Sequence, residues 1–176
     1  MSLMTESERR QIIASLDEGI KALVDTLHEV SEMSAARTPA PERWSILQCG
    51  EHVALVEDYL FSLIATSSHS DTPLINAQRE VYIATRGADR SNKRDSPPDA
   101  LPKDNFSTLQ EALRGFLTSR ERTIQFVNTS KEDLRSRISV HPIIGTVNCH
   151  EVLLLMAVHP ARHAKQIDEI KAATAN

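Results

Sequence analysis

Apolar residues recur every three or four positions in four stretches of the chain. Each stretch therefore carries an apolar stripe on one side, which is the pattern of an amphipathic helix packed against its neighbours. The stripes are Ile12, Leu16, Ile20, Leu23, Leu27 and Val30; Cys49, Val53, Val56, Leu60 and Leu63; Leu109, Leu113, Phe116, Ile124 and Val127; and Val152, Met156, Ile167 and Ile170. The pattern predicts four helices that bury their stripes in a shared core.

A start signal precedes each predicted helix. In a capping box, the side chain of a Ser or Thr accepts a hydrogen bond from the backbone N–H three residues later. The Glu or Gln at that later position in turn accepts a hydrogen bond, through its side chain, from the backbone N–H of the Ser or Thr. Asn is also a good N-cap residue. The four pairs are Thr5 with Glu8, Ser45 with Gln48, Ser107 with Gln110, and Asn148 with Glu151. Four such signals at the expected places support the four helices.

The stretch between the second and third predicted helices has a different composition. Residues 67–105 are rich in Ser, Asp, Asn and Pro, and within them Asn76 to Thr85 is compatible with a short helix. We expect the rest to form a long crossover loop. A second link runs from Thr129 to Val147. We therefore predict an all-α fold, a four-helix bundle with a long crossover between helices 2 and 3, as a single domain over residues 1–176.

Composition and charge exclude two classes of partner. The 176 residues include 20 Lys and Arg against 24 Asp and Glu, which gives a net charge of −4. Nucleic-acid binding needs a basic surface, so we expect no nucleic-acid partner. No apolar run approaches the roughly 18 residues of a membrane span, and no signal-peptide pattern is visible.

Since the two cysteines, Cys49 and Cys149, lie far apart in the sequence, we expect a cytoplasmic protein without a disulfide framework.

Two of the seven histidines interrupt an apolar stripe. His159 and His163 are four residues apart in the fourth predicted helix, so both rings project from the same face. Buried imidazoles need partners, and a pair at this spacing can share one divalent metal. His52, beside the stripe of the second helix, can supply a third ligand where these two helices meet. The alternative is a set of core histidines that bond to the backbone or to acidic side chains.

Three further residues bear on this candidate site. Pro160 lacks a backbone N–H and disfavours helical conformation at His159, so we expect a kink or a local break in the fourth helix. Gln166 follows His163 by three residues and can orient a ligand or a substrate. Trp44, at the entrance of the second helix, can contact a substrate or can simply pack.

The same residues carry a resemblance to a known family. Trp44-Ser45 leading to His52 resembles the second helix of the DinB-like superfamily, in which a Trp-Ser cap precedes a helix with one metal-binding His. The pattern His-x-x-x-His-x-x-Gln-Ile that begins at His159 is similar to the last helix of that family. The helix count and the long crossover also match, so the resemblance covers nearly the whole chain.

This resemblance implies an up-down-down-up bundle, commonly a homodimer, with one divalent metal held by His52, His159 and His163. Zinc, nickel, manganese and iron all occur among the relatives. Characterised relatives include metal-dependent S-transferases and isomerases that use low-molecular-weight bacterial thiols, and others are described as metal-dependent hydrolases. We therefore expect a metal-dependent enzyme that transfers a low-molecular-weight thiol or hydrolyses a small-molecule substrate. The alternative is a metal-free helical bundle that acts as a ligand-binding or interaction protein.

Overall fold

The computed structural model describes residues 3–91 and 96–174. Residues 92–95 of the predicted crossover and the two residues at each end of the predicted domain lie outside the described residues. The described helices are α1 (Glu6–Leu27), α2 (Glu32–Ala35), α3 (Ile46–Ala65), α4 (Ala77–Arg86), α5 (Leu109–Thr129) and α6 (Cys149–Thr174), with a short 3-10 helix at Pro98–Ala100. The four long helices α1, α3, α5 and α6 are the four that the apolar stripes predict.

Helices α3 and α5 pack side by side in the same direction. Gly50 lies against Leu109, and Glu57, two turns later in α3, pairs with Arg120, three turns later in α5. Two adjacent parallel helices cannot be joined by a short turn, because the chain must return along the full length of the bundle. This geometry explains the long crossover between α3 and α5.

The other helix pairs complete an up-down-down-up arrangement. Helix α1 is parallel to α6, because Gly19 lies against Ala157 and Thr26, further along α1, bonds Asp168. Helix α1 runs opposite to α5, and the contacts that show this are Arg9 with Val127 and Leu16 with Arg120. The predicted all-α bundle and its topology are therefore confirmed.

The crossover follows α6 along much of its length. Arg79 of α4 pairs with Glu151 near the start of α6, and Arg90 pairs with Glu169 near its end. The short helix expected at Asn76 to Thr85 is confirmed as α4, with the Asn76 side chain accepting a hydrogen bond at its start. The crossover is thus a second layer on α6, held by ion pairs.

A small antiparallel sheet joins the two links, and the sequence analysis did not predict it. Its strands are β1 (Ser68–His69), β2 (Arg137–His141) and β3 (Gly145–Asn148), in the order β1-β2-β3. Ser68 pairs with Ile138, and His141 pairs with Gly145 across the hairpin. Strands of two to five residues are too short to show a clear alternation of apolar and polar positions.

Three of the four predicted helix starts are confirmed and one is wrong. The Thr5, Ser45 and Asn148 side chains each accept a backbone hydrogen bond from the residue three positions later. The third helix is capped by Thr108 with Glu111, one residue later than the predicted Ser107 with Gln110. The carboxylate of Glu111 accepts hydrogen bonds from the backbone N–H groups of both Ser107 and Thr108, which fixes this register.

Of the two expectations for Pro160, a kink or a local break, the local break is wrong, because α6 runs without interruption through Pro160. Proline removes the hydrogen bond to the carbonyl of the residue four positions earlier, which is Met156. That carbonyl instead accepts a hydrogen bond of 2.6 Å from the buried side chain of Arg120. A side chain therefore replaces the missing backbone donor.

The core has two clusters of buried apolar residues. One surrounds Leu16, Val152 and Met156, and the other surrounds Leu23, Val53 and Ile167. Within the described residues, no helix has the length and apolar character needed to cross a membrane. Both cysteines are buried and unpaired with each other.

Candidate metal centre

Helices α3 and α6 bring the three predicted histidines together between the two core clusters. His52 lies on α3, and His159 and His163 lie one turn apart on α6. One ring nitrogen of each lies within 4.8 Å of the others. His52 and His163 are only 4% and 6% exposed, whereas His159 is half-buried. Among the described residues, this is the one group of three or more His, Cys, Asp or Glu side chains that could hold a metal ion.

The three rings are packed directly against one another. The ring centroids are 4.5 Å apart for His52 and His163, 4.4 Å for His159 and His163, and 5.1 Å for His52 and His159. The continuity of α6 through Pro160 places the pair on one face, because residues four apart in an α-helix lie one above the other. The predicted distortion at Pro160 does not separate them.

The hydrogen bonds of His52 define which nitrogen is available to a ligand. Nδ1 of His52 lies 2.6 Å from the carbonyl oxygen of Ala100, which can only accept, so Nδ1 carries the hydrogen. In a neutral ring, Nε2 then holds the free lone pair. This Nε2 lies 3.2 Å from Nε2 of His159. Metal-binding histidines commonly donate their second N–H to a backbone carbonyl in this way.

His163 carries a buried ring nitrogen that the described part of the chain leaves unsatisfied. Its Nδ1 has no hydrogen-bond partner among the described residues. A buried polar atom without a partner is costly, and such an atom in a native structure calls for an unseen partner. Three converging imidazoles with one such atom fit a divalent metal ion.

The electrostatic environment keeps all three rings neutral. Burial lowers the pKa of His52 below its ordinary value. It lowers the pKa values of His159 and His163 much further, and the neighbouring histidines and nearby arginines act in the same direction. A histidine must be neutral to ligate a metal, so the site is prepared for a cation at neutral pH.

Three imidazole nitrogens define the chemistry that the site can support. Imidazole suits zinc, nickel, copper and iron. Three protein ligands also leave coordination positions open, as in catalytic rather than structural zinc sites. The donor set therefore fits a metal that also takes a water molecule or a substrate.

The other two predicted site residues lie beside the histidines. The Trp44 ring is 4.9 Å from the ring of His52. Oε1 of Gln166 accepts a hydrogen bond of 2.9 Å from Arg90 of the crossover, whose guanidinium also pairs with Glu169. A cavity of about 230 Å³ lies between the loop before α3 and the end of α6, with Trp44 and Gln166 in its wall.

Several contributors to the site were missed by sequence reasoning. Ala100 and Arg90 belong to the crossover, and only the fold brings them against α3 and α6. Arg120 and Glu57, an ion pair in the core, also have no local motif. Their one signal is a charged residue on an otherwise apolar helix face, which predicts a buried pair without identifying its partner.

The remaining histidines and cysteines do not join the cluster. His28 and His69 are exposed, and His141 and His150 lie at the sheet and the start of α6. Burial raises the pKa of the Cys49 thiol to about 12, so it stays protonated and is a poor ligand.

A comparison with protein families matches this chain to the DinB superfamily over residues 15–167. The uncharacterized protein YuaE of Bacillus subtilis (strain 168) is 23% identical over 154 residues, which cover 86% of this chain and 93% of YuaE.

Solved structures share the fold. The conserved protein from Enterococcus faecalis has a TM-score of 0.65 and 18% identity, covering 98% of both chains. YfiT from Bacillus subtilis, described as a probable metal-dependent hydrolase with an unusual four-helix bundle topology, has a TM-score of 0.61 and 13% identity, covering 98% of this chain and 90% of YfiT. TT2238, a four-helix bundle protein, has a TM-score of 0.59 and 21% identity, covering 92% of this chain and 98% of TT2238.

Proposed function

The chain belongs to the DinB superfamily, and from that premise we propose that it is a metal-dependent enzyme with His52, His159 and His163 as the metal ligands. The observation that carries the proposal is the convergence of three histidine rings in which the buried Nδ1 of His163 has no hydrogen-bond partner among the described residues. The description of YfiT as a probable metal-dependent hydrolase supports the same class of activity.

The protein contributes a fixed and shielded set of ligands. Ala100 orients the His52 ring through Nδ1, and α6 sets the spacing of the other two rings. A divalent metal held there supplies a Lewis acid, which makes a water molecule or a thiol a stronger nucleophile at neutral pH. The oxygen of Gln166 accepts a hydrogen bond from Arg90, and its side chain also hydrogen-bonds to His163, so we propose that Gln166 orients this ligand or a substrate beside it.

Two reactions use this arrangement, namely hydrolysis of a small molecule and transfer of a low-molecular-weight thiol. In hydrolysis the nucleophile is water, and in transfer it is the thiol of a second substrate. We propose zinc, nickel, manganese or iron as the metal, a small molecule as the substrate and a homodimer as the assembly.

A second candidate function is ligand binding by a metal-free bundle. The observation that favours it is the 3.2 Å contact between Nε2 of His52 and Nε2 of His159, which gives both of these atoms a partner without a metal. That contact leaves Nδ1 of His163 unsatisfied, so the metal-dependent function explains more of the site.

Metal content separates the two functions. The untagged protein, purified without chelators and offered zinc, nickel, manganese and iron(II) in turn, should bind about one metal ion per chain by plasma mass spectrometry. His159→Ala should lose this metal, and His28→Ala, which removes an exposed histidine, should keep it. A wild-type protein that takes up no metal, or His52→Ala, His159→Ala and His163→Ala variants that all retain it, would overturn the metal-dependent function.

A further inference from the structure

The core contains an arginine that bonds to all three of the other long helices. Arg120 of α5 is fully buried, with 0% of its surface exposed. Its Nε and Nη2 donate to the two carboxylate oxygens of Glu57 on α3 at 2.7 and 2.8 Å. Its Nη1 donates to the carbonyl of Leu16 on α1, and its Nη2 donates to the carbonyl of Met156 on α6.

The carbonyl of Met156 is the one that Pro160 leaves without a helical donor. In an α-helix, the N–H of each residue bonds the carbonyl four residues earlier, and proline has no N–H. A buried carbonyl without a donor costs free energy and favours a kink that exposes it. Arg120 supplies the donor from a neighbouring helix at 2.6 Å.

This replacement lies between the residues that shape the candidate metal centre. Pro160 directly follows His159 and precedes His163 by three residues, so the course of α6 at Pro160 sets the separation of the two rings. Glu57, which holds the guanidinium in place, is on the same helix as His52. The hydroxyl of Thr123 also donates to Glu57 and helps to fix it.

We propose that Arg120 is a positioning residue for the three-histidine site. Its guanidinium takes the place of the missing N–H of Pro160 and keeps α6 helical between His159 and His163. The metal-binding part of this inference rests on the proposed function, whereas the replacement of the backbone donor does not.

The test removes the ion pair without leaving a buried charge. Replacing both partners by apolar residues of similar volume is often neutral for stability, so the variant is Glu57→Met with Arg120→Met. The rescue adds Pro160→Ala, which restores the backbone N–H. The control pair is Asp58→Asn with Arg122→Gln, an exposed ion pair between the same two helices.

Cobalt(II) serves as the probe, because its visible spectrum reports both affinity and coordination geometry. We expect the Glu57→Met, Arg120→Met protein to bind cobalt(II) about 10- to 100-fold more weakly than wild type, as for other residues that orient ligands. Adding Pro160→Ala should restore both the affinity and the wild-type spectrum. The control pair should bind like wild type.

Two results would overturn the inference. One is unchanged cobalt(II) binding without the ion pair, and the other is a loss that Pro160→Ala does not restore. If the wild-type protein binds neither cobalt(II) nor any of the four metals offered in the metal-content test, the proposed function fails, and urea denaturation then tests the replacement of the backbone donor by itself. Pro160→Ala must then stabilise the Glu57→Met, Arg120→Met protein more than it stabilises wild type.

A second pair of variants covers a failure to fold. If circular dichroism shows that the Glu57→Met, Arg120→Met protein is unfolded, Arg120→Lys is compared with Arg120→Lys, Pro160→Ala. Lysine keeps the charge beside Glu57 but cannot reach Glu57, Leu16 and Met156 with one planar group. Rescue of cobalt(II) binding by Pro160→Ala is again the expected result, and its absence contradicts the inference.

Discussion

Nδ1 of His52 donates a hydrogen bond of 2.6 Å to the carbonyl oxygen of Ala100, at the end of the 3-10 helix in the crossover. The preceding residue, Glu51, is buried, and its Oε1 accepts hydrogen bonds from the backbone N–H groups of Lys103 and Asn105. Two consecutive residues of α3 therefore fasten the same segment of the crossover against the histidines. The crossover is part of the site rather than a passive connection.

Glu51→Ala should weaken the site through this segment. Two backbone N–H groups lose their acceptor, and we expect the free energy of unfolding to fall by about 1–3 kcal/mol. Ala100 should become more mobile, so zinc affinity should fall as well. Urea denaturation and a zinc titration measure the two effects. Glu51→Gln keeps an oxygen at this position and is the control, and equal losses in both variants would contradict the explanation.

Stability of the metal-free protein should decrease in mild acid. Burial is the largest cause of a lowered pKa at five histidines, which are His52, His141, His150, His159 and His163. In the unfolded chain a histidine has a pKa of about 6.5. As the pH falls below that value, the unfolded chain takes up protons that the native protein does not, so the stabilisation present at higher pH is lost.

Urea denaturation between about pH 7.5 and about pH 5.5 measures this dependence. We expect a progressive loss of unfolding free energy below about pH 6.5, with a smaller loss in His159→Ala. Zinc binding should weaken over the same range, since protons compete for the same nitrogens. A free energy of unfolding that does not change across this range would show that the histidines are not held neutral by burial.

The sequence was informative wherever a local pattern determined the structure. The stripe from Ile12 to Leu27 predicts α1, and the four-residue spacing of His159 and His163 predicts a shared helix face. Local patterns of this kind do not predict contacts between segments that are distant in the sequence. The carbonyl of Ala100 reaches His52 only after the crossover folds back onto α3, and no local signal marks it.

Pro160 shows why a correct local rule can predict a helix break that does not occur. The rule that proline disrupts a helix rests on the missing hydrogen bond, and that bond is indeed missing here. The compensating donor, Arg120, lies in another helix and 40 residues earlier in the sequence. The cap of α5 is a smaller example, since Ser107 and Thr108 fit the local pattern almost equally well.

The corrected start of α5 can be tested by a pair of alanine variants. Thr108→Ala removes the side chain that accepts the backbone N–H of Glu111, and we expect a loss of about 1 kcal/mol in the free energy of unfolding. Ser107→Ala removes no cap and should change stability by less than about 0.5 kcal/mol. Thermal or urea denaturation compares them, and the reverse order would restore the start predicted from the sequence.

The close approach of α1 and α6 gives the last prediction. A methyl group on Gly19 would overlap the carbonyl oxygen of Ala157, which is backbone and cannot move aside alone. Gly19→Ala should therefore displace α6 two residues before His159, and overpacking of this kind costs about 1–3 kcal/mol.

Gly50→Ala is the matched control for Gly19→Ala, because its new methyl group would lie 3.2 Å from the movable side-chain end of Leu109. Both changes remove a helical glycine, so both gain the same helix propensity. Urea denaturation and a zinc titration should show lower stability and weaker binding for Gly19→Ala than for Gly50→Ala. Since α6 carries two of the three histidines, equal zinc affinities with unequal stabilities would mean that the metal centre tolerates a shift of this helix.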